Sequence, residues 1–505
     1  MFDAIPMNLI FLLVGSIVIV YCGMIERRLK LIWIKEIASF IFTILAFISS
    51  LILYRELSTA PFKILIKTIS LISPISAIFE IDTLSLFMNF SILFLGLLVI
   101  IYSFNYMQHE SRLVEYYSLL LMMMAGMVGI TLAGDFFTFF IFWELMCISS
   151  YILVAFRRDR PAPIEAGFKY LVMSALGSSL ILFGMSLLYG LAGNVNFAYM
   201  SIGIDWGNAG IWPYISFILL FLGFGIKAAI VPLHTWLPDA HPEAPSPISA
   251  MLSGIVIETG LYGLTRILFT VFIPNSSQEF FKLFIAIFSI LTMTVGNLMA
   301  LLQKDIKRLL AYSSIAQMGY MLIGVASGTS YGLLGCFLHV FNHSMMKGLA
   351  FLASGALVER TETRNIEEMR GLGRKMPITT LTLAISLLGL GGVPSMNGFV
   401  SKFILFSSVL APNINLWWLA VAGVLNSAFS MAYYLPVIIT LIAQGDSSYE
   451  GLKEAPTLML IPMIIMSIII IIFGVYPFPI IDFADSASKS LIENLQSYIR
   501  SIIQY

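Results

Sequence analysis

Several long apolar stretches of this sequence contain single acidic or basic residues near their centres. Glu144 lies in FFTFFIFWELMCISSY, and Lys227 lies in GIKAAIVPLHTW. A lone charge in hydrocarbon costs roughly 2.5–3.5 kcal/mol, so such residues face the protein interior, find partners and mark transport routes. Burial disfavours a charged ammonium, whereas a neighbouring carboxylate favours it. We therefore predict a Glu144–Lys227 pair whose opening and closing makes the lysine release and take up a proton.

A second set of ionisable residues lies within the segment GLLGCFLHVFNHSMMKGLAFL. His339, His343 and Lys347 are spaced four residues apart, so they share one face of a helix. Histidine titrates near neutral pH and both ring nitrogens can carry protons, which suits a proton relay. Two other interpretations stay open. The histidines can be core residues bonded to neighbouring helices, or they can bind a metal, although the glutamate of the H-E-x-x-H motif is missing.

Glu258, in SGIVIETGLYGLTR, and Lys402, in MNGFVSKF, bring the number of charged apolar segments to five. Charges on five segments at similar depth predict a lateral polar axis in the membrane plane. Arg266 is closer to the end of its segment, and we expect its guanidinium to extend to the interface. Asp135, at the start of its segment, is interpreted as a helix N-terminal residue.

The connection LHTWLPDAHPEAPSPISA is polar and contains four prolines. It includes His234 and His241, and it follows the segment that contains Lys227. Two interpretations are open for it: proton uptake from the inner side of the membrane, or a rigid turn.

The elements that carry these residues follow from composition. Of the 505 residues 59% are hydrophobic and 11% are charged, and the mean hydropathy is +0.93. Soluble domains have about a quarter charged residues, so the chain is predicted to be an all-α membrane protein. Its zero net charge gives no indication of nucleic-acid binding, and its three cysteines lack metal-ligand or pairing spacing. The N-terminus lacks the features of a signal peptide, so the first helix is expected to be permanent.

About fourteen segments are long enough to cross the bilayer. If the N-terminus is outside, most lysine and arginine residues fall in inward loops, among them Arg157 to Arg160 and Lys307. The positive-inside rule therefore predicts a multi-pass protein of the cell or inner membrane with both termini on the outer side. The C-terminal tail, ENLQSYIRSIIQY, is amphipathic and is expected at the outer interface.

Helices 7 and 12 are predicted to be broken. Pro232 interrupts the first, and the Gly391–Gly398 region, with Pro394, interrupts the second. Matching breaks five segments apart are typical of transporters built from inverted repeats. We predict an N-terminal three-helix segment (1–115), two inverted five-helix repeats (116–275 with helices 4–8, and 276–445), and a last part (446–505) with helix 14 and the tail.

Five motifs together resemble one family. FWELMCISSYILVAF, GIKAAIVPLHTWLPDAHPEAPSPISAMLSG, KDIKRLLAYSSIAQMGYMLIG, FNHSMMKGLAFLASGAL and GVPSMNGFVSKF are similar to the antiporter-like membrane subunits of respiratory complex I, Mrp-type sodium/proton antiporters and energy-converting membrane-bound hydrogenases. The resemblance extends from Tyr116 to Leu441. It implies fourteen helices with two inverted five-helix repeats, each containing a broken helix. The chain ends soon after the fourteenth segment, so we expect no long lateral helix.

The resemblance also implies a role for each matching residue. Glu144 and Lys227 match the family's charge pair, the His339–Lys347 stripe matches its central relay, and Lys402 matches its terminal ionisable residue. Glu258 is a departure, because many members have lysine at this place. A carboxylate there reverses the local charge and leaves room for sodium handling.

The sequence thus predicts a proton-translocating, or Na⁺/H⁺-translocating, subunit that works with other membrane subunits in the lipid bilayer. It is expected to bind no cofactor and no metal and to be non-catalytic by itself. The host complex, either an oxidoreductase of the NADH dehydrogenase or hydrogenase type or a cation antiporter, stays open, as do the ion and the direction of transport. The alternatives are a stand-alone secondary transporter for a small solute and a structural membrane subunit.

Overall fold

The computed structural model describes residues 5–29, 33–60, 63–72, 75–273, 278–411, 414–444, 451–493 and 499, which are mostly helical. A helix occupies each of the fourteen predicted segments. The helices of the first half are α1 (Met7–Leu29), α2 (Ile34–Thr59), α3 (Thr83–Tyr106), α4 (Leu113–Leu132), α5 (Phe136–Val154), α6 (Pro161–Ala192), α7 (Phe197–Gly203), α8 (Trp212–Lys227) and α9 (Leu237–Glu243).

The second half begins with α10 (Ser246–Met251) and α11 (Ile257–Ile267), which form one continuous helix, Ser246–Phe272, through π-helical turns. The remaining helices are α12 (Gln278–Leu301), α13 (Ile306–Ser327), α14 (Ser330–Thr361), α15 (Pro377–Gly391), α16 (Asn397–Ser408), α17 (Trp417–Ile442), α18 (Thr457–Val475) and α19 (Phe478–Ile492). Most of the predicted amphipathic tail lies outside the described residues.

Membrane character is evident from the helices themselves. Within the described residues, eleven helices are long and apolar enough to cross a membrane, and α8 and α15 are shorter apolar helices. The continuous helix Ser246–Phe272 and α13 are surrounded by protein, whereas α1, α2 and α17 expose much of their apolar surface. The multi-pass membrane protein predicted from composition is therefore confirmed.

The expectation of an all-α chain needs one correction. Strands β1 (Leu65–Ile72) and β2 (Ile75–Ile81) form an antiparallel hairpin between α2 and α3. The segment is rich in isoleucine, whose branched side chain favours strands. The hairpin packs onto the bundle, because the Ile78 amide donates to Asp135 Oδ2 (2.9 Å). Asp135 also caps α5 by accepting from the Thr138 amide (2.8 Å), so its predicted role at a helix N-terminus is confirmed.

Both predicted helix breaks are present. Helix α8 ends at Lys227, and Ala229 has a left-handed backbone with φ of 52° before Pro232. In the second break, α15 ends at Gly391 and Gly392 adopts φ of 83°, a conformation that glycine tolerates at no steric cost. At the first break Ala228–Val231 are buried in protein, as irregular backbone at membrane depth requires. At the second break Pro394 and Ser395 are exposed on this chain.

Arg266 is buried, which contradicts the expectation that it extends to the interface. Its side chain is 2% exposed. It forms an ion pair with Asp82, the residue that caps α3, and lies 4.0 Å from Glu80 of β2. The hairpin that the sequence did not predict supplies Glu80 and covers this end of the helix, so the guanidinium finds its partners inside the protein.

Loss of the Arg266 charge is expected to destabilise the fold strongly. Removal of one partner from a buried ion pair typically costs roughly 3–5 kcal/mol, because the other charge stays buried and uncompensated. Arg266→Leu should lower the free energy of unfolding by about that amount, measured by denaturant unfolding in detergent. The control is Arg308→Leu, since Arg308 has a half-exposed side chain beside Asp239. Equal stability of the two variants would contradict the prediction.

Candidate functional site

Lys227 occupies a closed polar pocket between α5, α6 and α8. Its ammonium donates to the Tyr170 hydroxyl (2.6 Å) and to Ser150 Oγ (3.3 Å), and it approaches Cys147 Sγ at 3.4 Å. The Tyr170 ring stacks on Trp236, with ring centroids 4.0 Å apart. This stacking fixes the hydroxyl that receives the lysine's shortest hydrogen bond.

The predicted direct pair between Glu144 and Lys227 is not formed in this structure. Glu144 is half-buried, and its Oε1 atom is buried without a hydrogen-bond partner among the described residues. Lys227 instead contacts Cys147 and Ser150, which lie further along α5. At 1.5 Å per residue these positions are about 4.5 and 9 Å beyond Glu144 along the helix axis. The Lys227 ammonium and the Glu144 carboxylate therefore lie beside different turns of α5 and are not in contact.

Glu258 and His343 form the central contact of the site. Glu258 Oε1 and His343 Nδ1 are 2.7 Å apart, and both side chains are completely buried. The contact joins α11 to α14, which are separated in sequence by α12 and α13. Glu258 Oε2 and His343 Nε2 have no hydrogen-bond partner among the described residues. A carboxylate and an imidazole at this distance can exchange one proton directly.

His339 and Lys347 share a face of α14 with His343, as predicted. The rings of His339 and His343 are stacked, with centroids 6.1 Å apart. His339 uses both ring nitrogens, Nδ1 with Ser401 Oγ (2.8 Å) and Nε2 with Gln317 Oε1 (3.0 Å). One turn beyond His343, the buried Lys347 ammonium donates to the Leu310 carbonyl (2.9 Å) and to the hydroxyl of Ser313 on α13.

Lys402 lies in α16, just after the second break. Its ammonium donates to the Leu390 carbonyl (2.7 Å) and to Ser427 Oγ (3.0 Å), and it lies 4.6 Å from the centre of the Tyr320 ring. The Gln317 amide, whose oxygen contacts His339, donates to the same Leu390 carbonyl (3.1 Å). One carbonyl thus joins the histidine stripe to Lys402.

The region predicted for proton uptake is folded differently from the expected loop. His241 lies in α9, is fully buried and stacks on Phe351 with centroids 4.7 Å apart, while His234 is half-buried. Neither ring nitrogen of His241 has a partner among the described residues. Lys307, expected in an inward loop, is instead buried in the first turn of α13 and donates to the Ala244 carbonyl (3.1 Å).

A large polar cavity opens next to Lys307. Its volume is about 780 Å³, and charged side chains of both signs line it. They include Lys307, Glu110, Glu243 and Glu359, together with Arg157, whose Nε donates to Glu110 (2.6 Å). Lys307 is thus the most deeply buried charge along this cavity.

The sequence reasoning missed the neutral polar residues of the site. Ser313, Gln317 and Tyr320 are spaced at i, i+4 and i+7 on α13, and each contacts a charged or histidine side chain of the axis. Their helical spacing within an apolar segment was a usable signal. Tyr170 begins a stripe of the same kind on α6, because the buried Ser174 and Ser178 follow it at i+4 and i+8.

The fold and this buried line of ionisable residues define an antiporter-like membrane subunit. The family described as "NADH:quinone oxidoreductase/Mrp antiporter, TM" matches residues 133–430, and the family described as "NADH-Ubiquinone oxidoreductase (complex I), chain 5 N-terminus" matches residues 69–117. The chain therefore belongs to the NADH:quinone oxidoreductase/Mrp antiporter membrane-subunit family, and the family predicted from the motifs is confirmed.

Relatives and solved structures agree with this assignment. NADH-quinone oxidoreductase subunit N of Desulfitobacterium hafniense is 35% identical over 427 residues, 80% of this chain and 84% of the relative. F(420)H(2) dehydrogenase subunit N of Methanosarcina mazei is 31% identical over 82% of this chain and 85% of the relative. A chain of the archaeal membrane-bound sulfane sulfur reductase superimposes with a TM-score of 0.86 and 26% identity, covering 97% and 99% of the two chains.

A chain of the Mrp complex from Dietzia sp. DQ12-45-1b has the same fold, with a TM-score of 0.87 at 22% identity over 98% of this chain and 99% of the other.

Proposed function

We propose that this chain moves protons through the membrane along the buried line Lys227, Glu258, His343, Lys347, His339 and Lys402, as a non-catalytic subunit of a multisubunit respiratory membrane complex. The observation that carries the proposal is the Glu258–His343 contact of 2.7 Å at the centre of the protein. A carboxylate and a histidine are costly to bury in membrane-embedded helices, and such residues usually mark ion or proton pathways.

The hydrogen bonds form two separate networks along the proposed route. On one side, Lys227 contacts Tyr170 and Ser150; on the other, Glu258, the stripe on α14 and Lys402 are close together. Buried polar atoms are almost always hydrogen-bonded. The unpartnered atoms of Glu258, His343 and His241 therefore mark positions where water would complete a proton path.

The separation of Glu144 from Lys227 supports a switching role for this pair. In the structure the ammonium is held by a phenol and a hydroxyl. A movement of the lysine side chain by one helical turn along α5 would bring it to Glu144 and stabilise its charged form. We infer that the movement toward Glu144 holds the proton and that the return movement releases it toward Glu258, so that the pair couples events in neighbouring subunits to proton transfer.

Proton uptake fits the polar cavity next to Lys307. The cavity reaches a buried lysine beside Ala244, and His241 lies in the adjoining helix α9. His241 is then a transfer group inside the protein. His234, predicted for the same role, lies closer to the surface.

A pair of matching structural units supports the predicted repeats. Asp135 caps α5 and forms an isolated antiparallel bridge with Asn196 after α6; Asp305 caps α13 and forms the same bridge with Asn365 after α14. The backbone hydrogen bonds of the two bridges are identical in pattern, from Phe136 to Val195 and from Ile306 to Arg364 (both 3.0 Å). Helices α6 and α14 each have 32 residues.

The two lysine pockets also correspond. Gly126, Asp135 and Cys147 of the first unit match Gly296, Asp305 and Gln317 of the second with one constant offset along the chain, and by the same offset Ser150 matches Tyr320. Lys227 contacts Cys147 and Ser150, while Lys402 lies over Tyr320. We therefore propose two inverted repeats (116–275 and 276–445), flanked by 1–115 and 446–505. The proposal also includes fourteen membrane crossings with both termini outside.

The names of the relatives favour an oxidoreductase as the host complex, with other membrane subunits as partners. The geometry favours H⁺ over Na⁺, because Glu258 faces an imidazole nitrogen, whereas hard cations prefer several oxygen ligands.

The test is proton flux in sealed vesicles of the assembled complex, followed with a pH-sensitive dye. Lys227→Ala should lower flux about tenfold, less than the typical contribution of about 100-fold or more from an acid–base group, because Tyr170 and Ser150 remain. Lys169→Ala is the control, since Lys169 is a half-exposed lysine paired with Glu165 and Asp239. Unchanged flux in an assembled Lys227→Ala complex would show that the axis is structural, and a dependence on sodium at constant pH would replace H⁺ by Na⁺.

A further inference from the structure

A groove on the lipid-facing side of α4, α5 and α6 combines an apolar wall with positive charge. Its volume is about 560 Å³. Ile152 of α5 and Ile164 and Phe168 of α6 line it and are exposed at 42%, 47% and 64%. Arg112 and Arg158 form its rim, at the end of the bundle where α4 begins and α5 ends.

The side chains of these two arginines do not hold the described part of the fold together. Among the described residues, neither guanidinium forms a hydrogen bond or an ion pair, whereas the neighbouring Arg157 is paired with Glu110. Arg112 is half-buried beside the apolar wall, and Arg158 is exposed. The groove therefore places two available guanidinium groups directly above a surface that suits a hydrocarbon chain. Among the described residues that line the groove, Glu115 is the only acidic one, which leaves the rim with net positive charge.

A second groove on the same protein shows what the arginines add. It lies between α16 and α17 and has a volume of about 410 Å³. The described residues that line it are apolar residues and Ser407, and none of them is charged. Phe403 and Val424 are typical of its wall. An acyl chain alone would suit both grooves, but a negatively charged headgroup matches only the first.

We propose that the α4–α5–α6 groove is a binding site for an anionic phospholipid, with an acyl chain along Ile152, Ile164 and Phe168 and the phosphate between Arg112 and Arg158. Guanidinium groups bind phosphate through paired hydrogen bonds, and basic side chains at the inner surface attract anionic lipids. The groove also includes Tyr151, whose ring packs edge-on against Tyr170 of the Lys227 pocket at 6.4 Å. The bound lipid would thus contact the outer wall of that pocket.

The experiment uses the assembled complex in phosphatidylcholine vesicles that contain a small fraction of photoactivatable phosphatidylglycerol or, separately, phosphatidylcholine with identical acyl chains. The labelled residues are mapped by mass spectrometry. Phosphatidylglycerol should label the α4–α5–α6 groove at least tenfold more than phosphatidylcholine, while both should label the α16–α17 groove equally. The double variant Arg112→Gln/Arg158→Gln should lower phosphatidylglycerol labelling by roughly fivefold for each arginine, and phosphatidylcholine labelling should not change.

The matched control is Arg374→Gln/Lys375→Gln, which removes two exposed positive charges between α14 and α15, outside the lining of the groove, and should leave labelling unchanged. Ile164→Trp, which fills the groove but keeps both arginines, should reduce labelling by either lipid. Equal labelling by the two lipids, or no effect of the arginine substitutions, would overturn the proposal. So would a groove that neither lipid labels in the complex, because a helix of a partner subunit would then cover it. The outcome does not depend on ion transport.

Discussion

Glu258→Gln is expected to lower proton flux by about 100-fold or more, the typical contribution of a positioned acid–base group. Glutamine keeps the shape of the side chain and can still hydrogen-bond to His343, but it cannot take up or release a proton. Glu258 lies between the Lys227 pocket and the α14 stripe and contacts His343 at 2.7 Å. Among the described residues, no hydrogen bond provides a bypass from Lys227 to that stripe.

The measurement is flux in sealed vesicles, with the amount of assembled complex determined in the same preparation. Glu165→Gln is the matched control, because Glu165 is an exposed carboxylate on α6 paired with Lys169. The double variant Glu258→Gln/His343→Gln should be no worse than either single variant, since residues that act as a unit are not additive. Additive losses would mean that the two residues act independently, which is incompatible with direct proton exchange between them.

Lys347→Met and Lys347→Arg are both expected to lower flux by about 100-fold. Lys347 donates to the Leu310 carbonyl and to Ser313 and is completely buried. Methionine removes the ammonium, whereas arginine keeps a positive charge that cannot be released in a protein. A relay residue must lose its proton in each cycle, so charge alone should not restore transport.

The arginine variant separates two explanations of Lys347. If Lys347→Arg transports normally while Lys347→Met does not, the residue supplies a fixed positive charge and passes no proton. Lys304 is the comparison site for both substitutions, because its side chain is 77% exposed at the surface and lies 3.6 Å from Glu367 in an exposed ion pair. Substitutions at Lys304 should change neither flux nor assembly.

The sequence was sufficient for the residues whose positions depend on helical periodicity and depth. His339, His343 and Lys347 share one face of α14 because their spacing is close to one turn, whatever surrounds them. The two breaks follow from Pro232 and from Gly391 and Gly392, where the helix cannot continue without cost. The five motifs are likewise sufficient to identify the family, which the match over residues 133–430 confirms.

Contacts between distant segments were predicted less well. The ammonium of Lys227 donates to Tyr170 of α6, because α6 packs closely on α8 at this depth and the stacked Trp236 fixes the phenol. Nothing local to Glu144 or Lys227 encodes that packing. Arg266 is a similar case, since its partners lie nearly two hundred residues earlier in the chain: Glu80 in the hairpin and Asp82 at the start of α3.

The sequence by itself determined that this protein is embedded in the membrane, which segments are helical and where two helices break. It also determined that the ionisable residues at the centres of apolar segments, such as Lys227, Glu258 and Lys347, are buried. These properties depend on hydropathy and on backbone preferences that act over a few residues. Only the tertiary structure decided the partners: Glu258 with His343, Lys227 with Tyr170, and Lys307 with Ala244. A buried charge must find a partner, but which partner it finds depends on how helices far apart in sequence pack against each other.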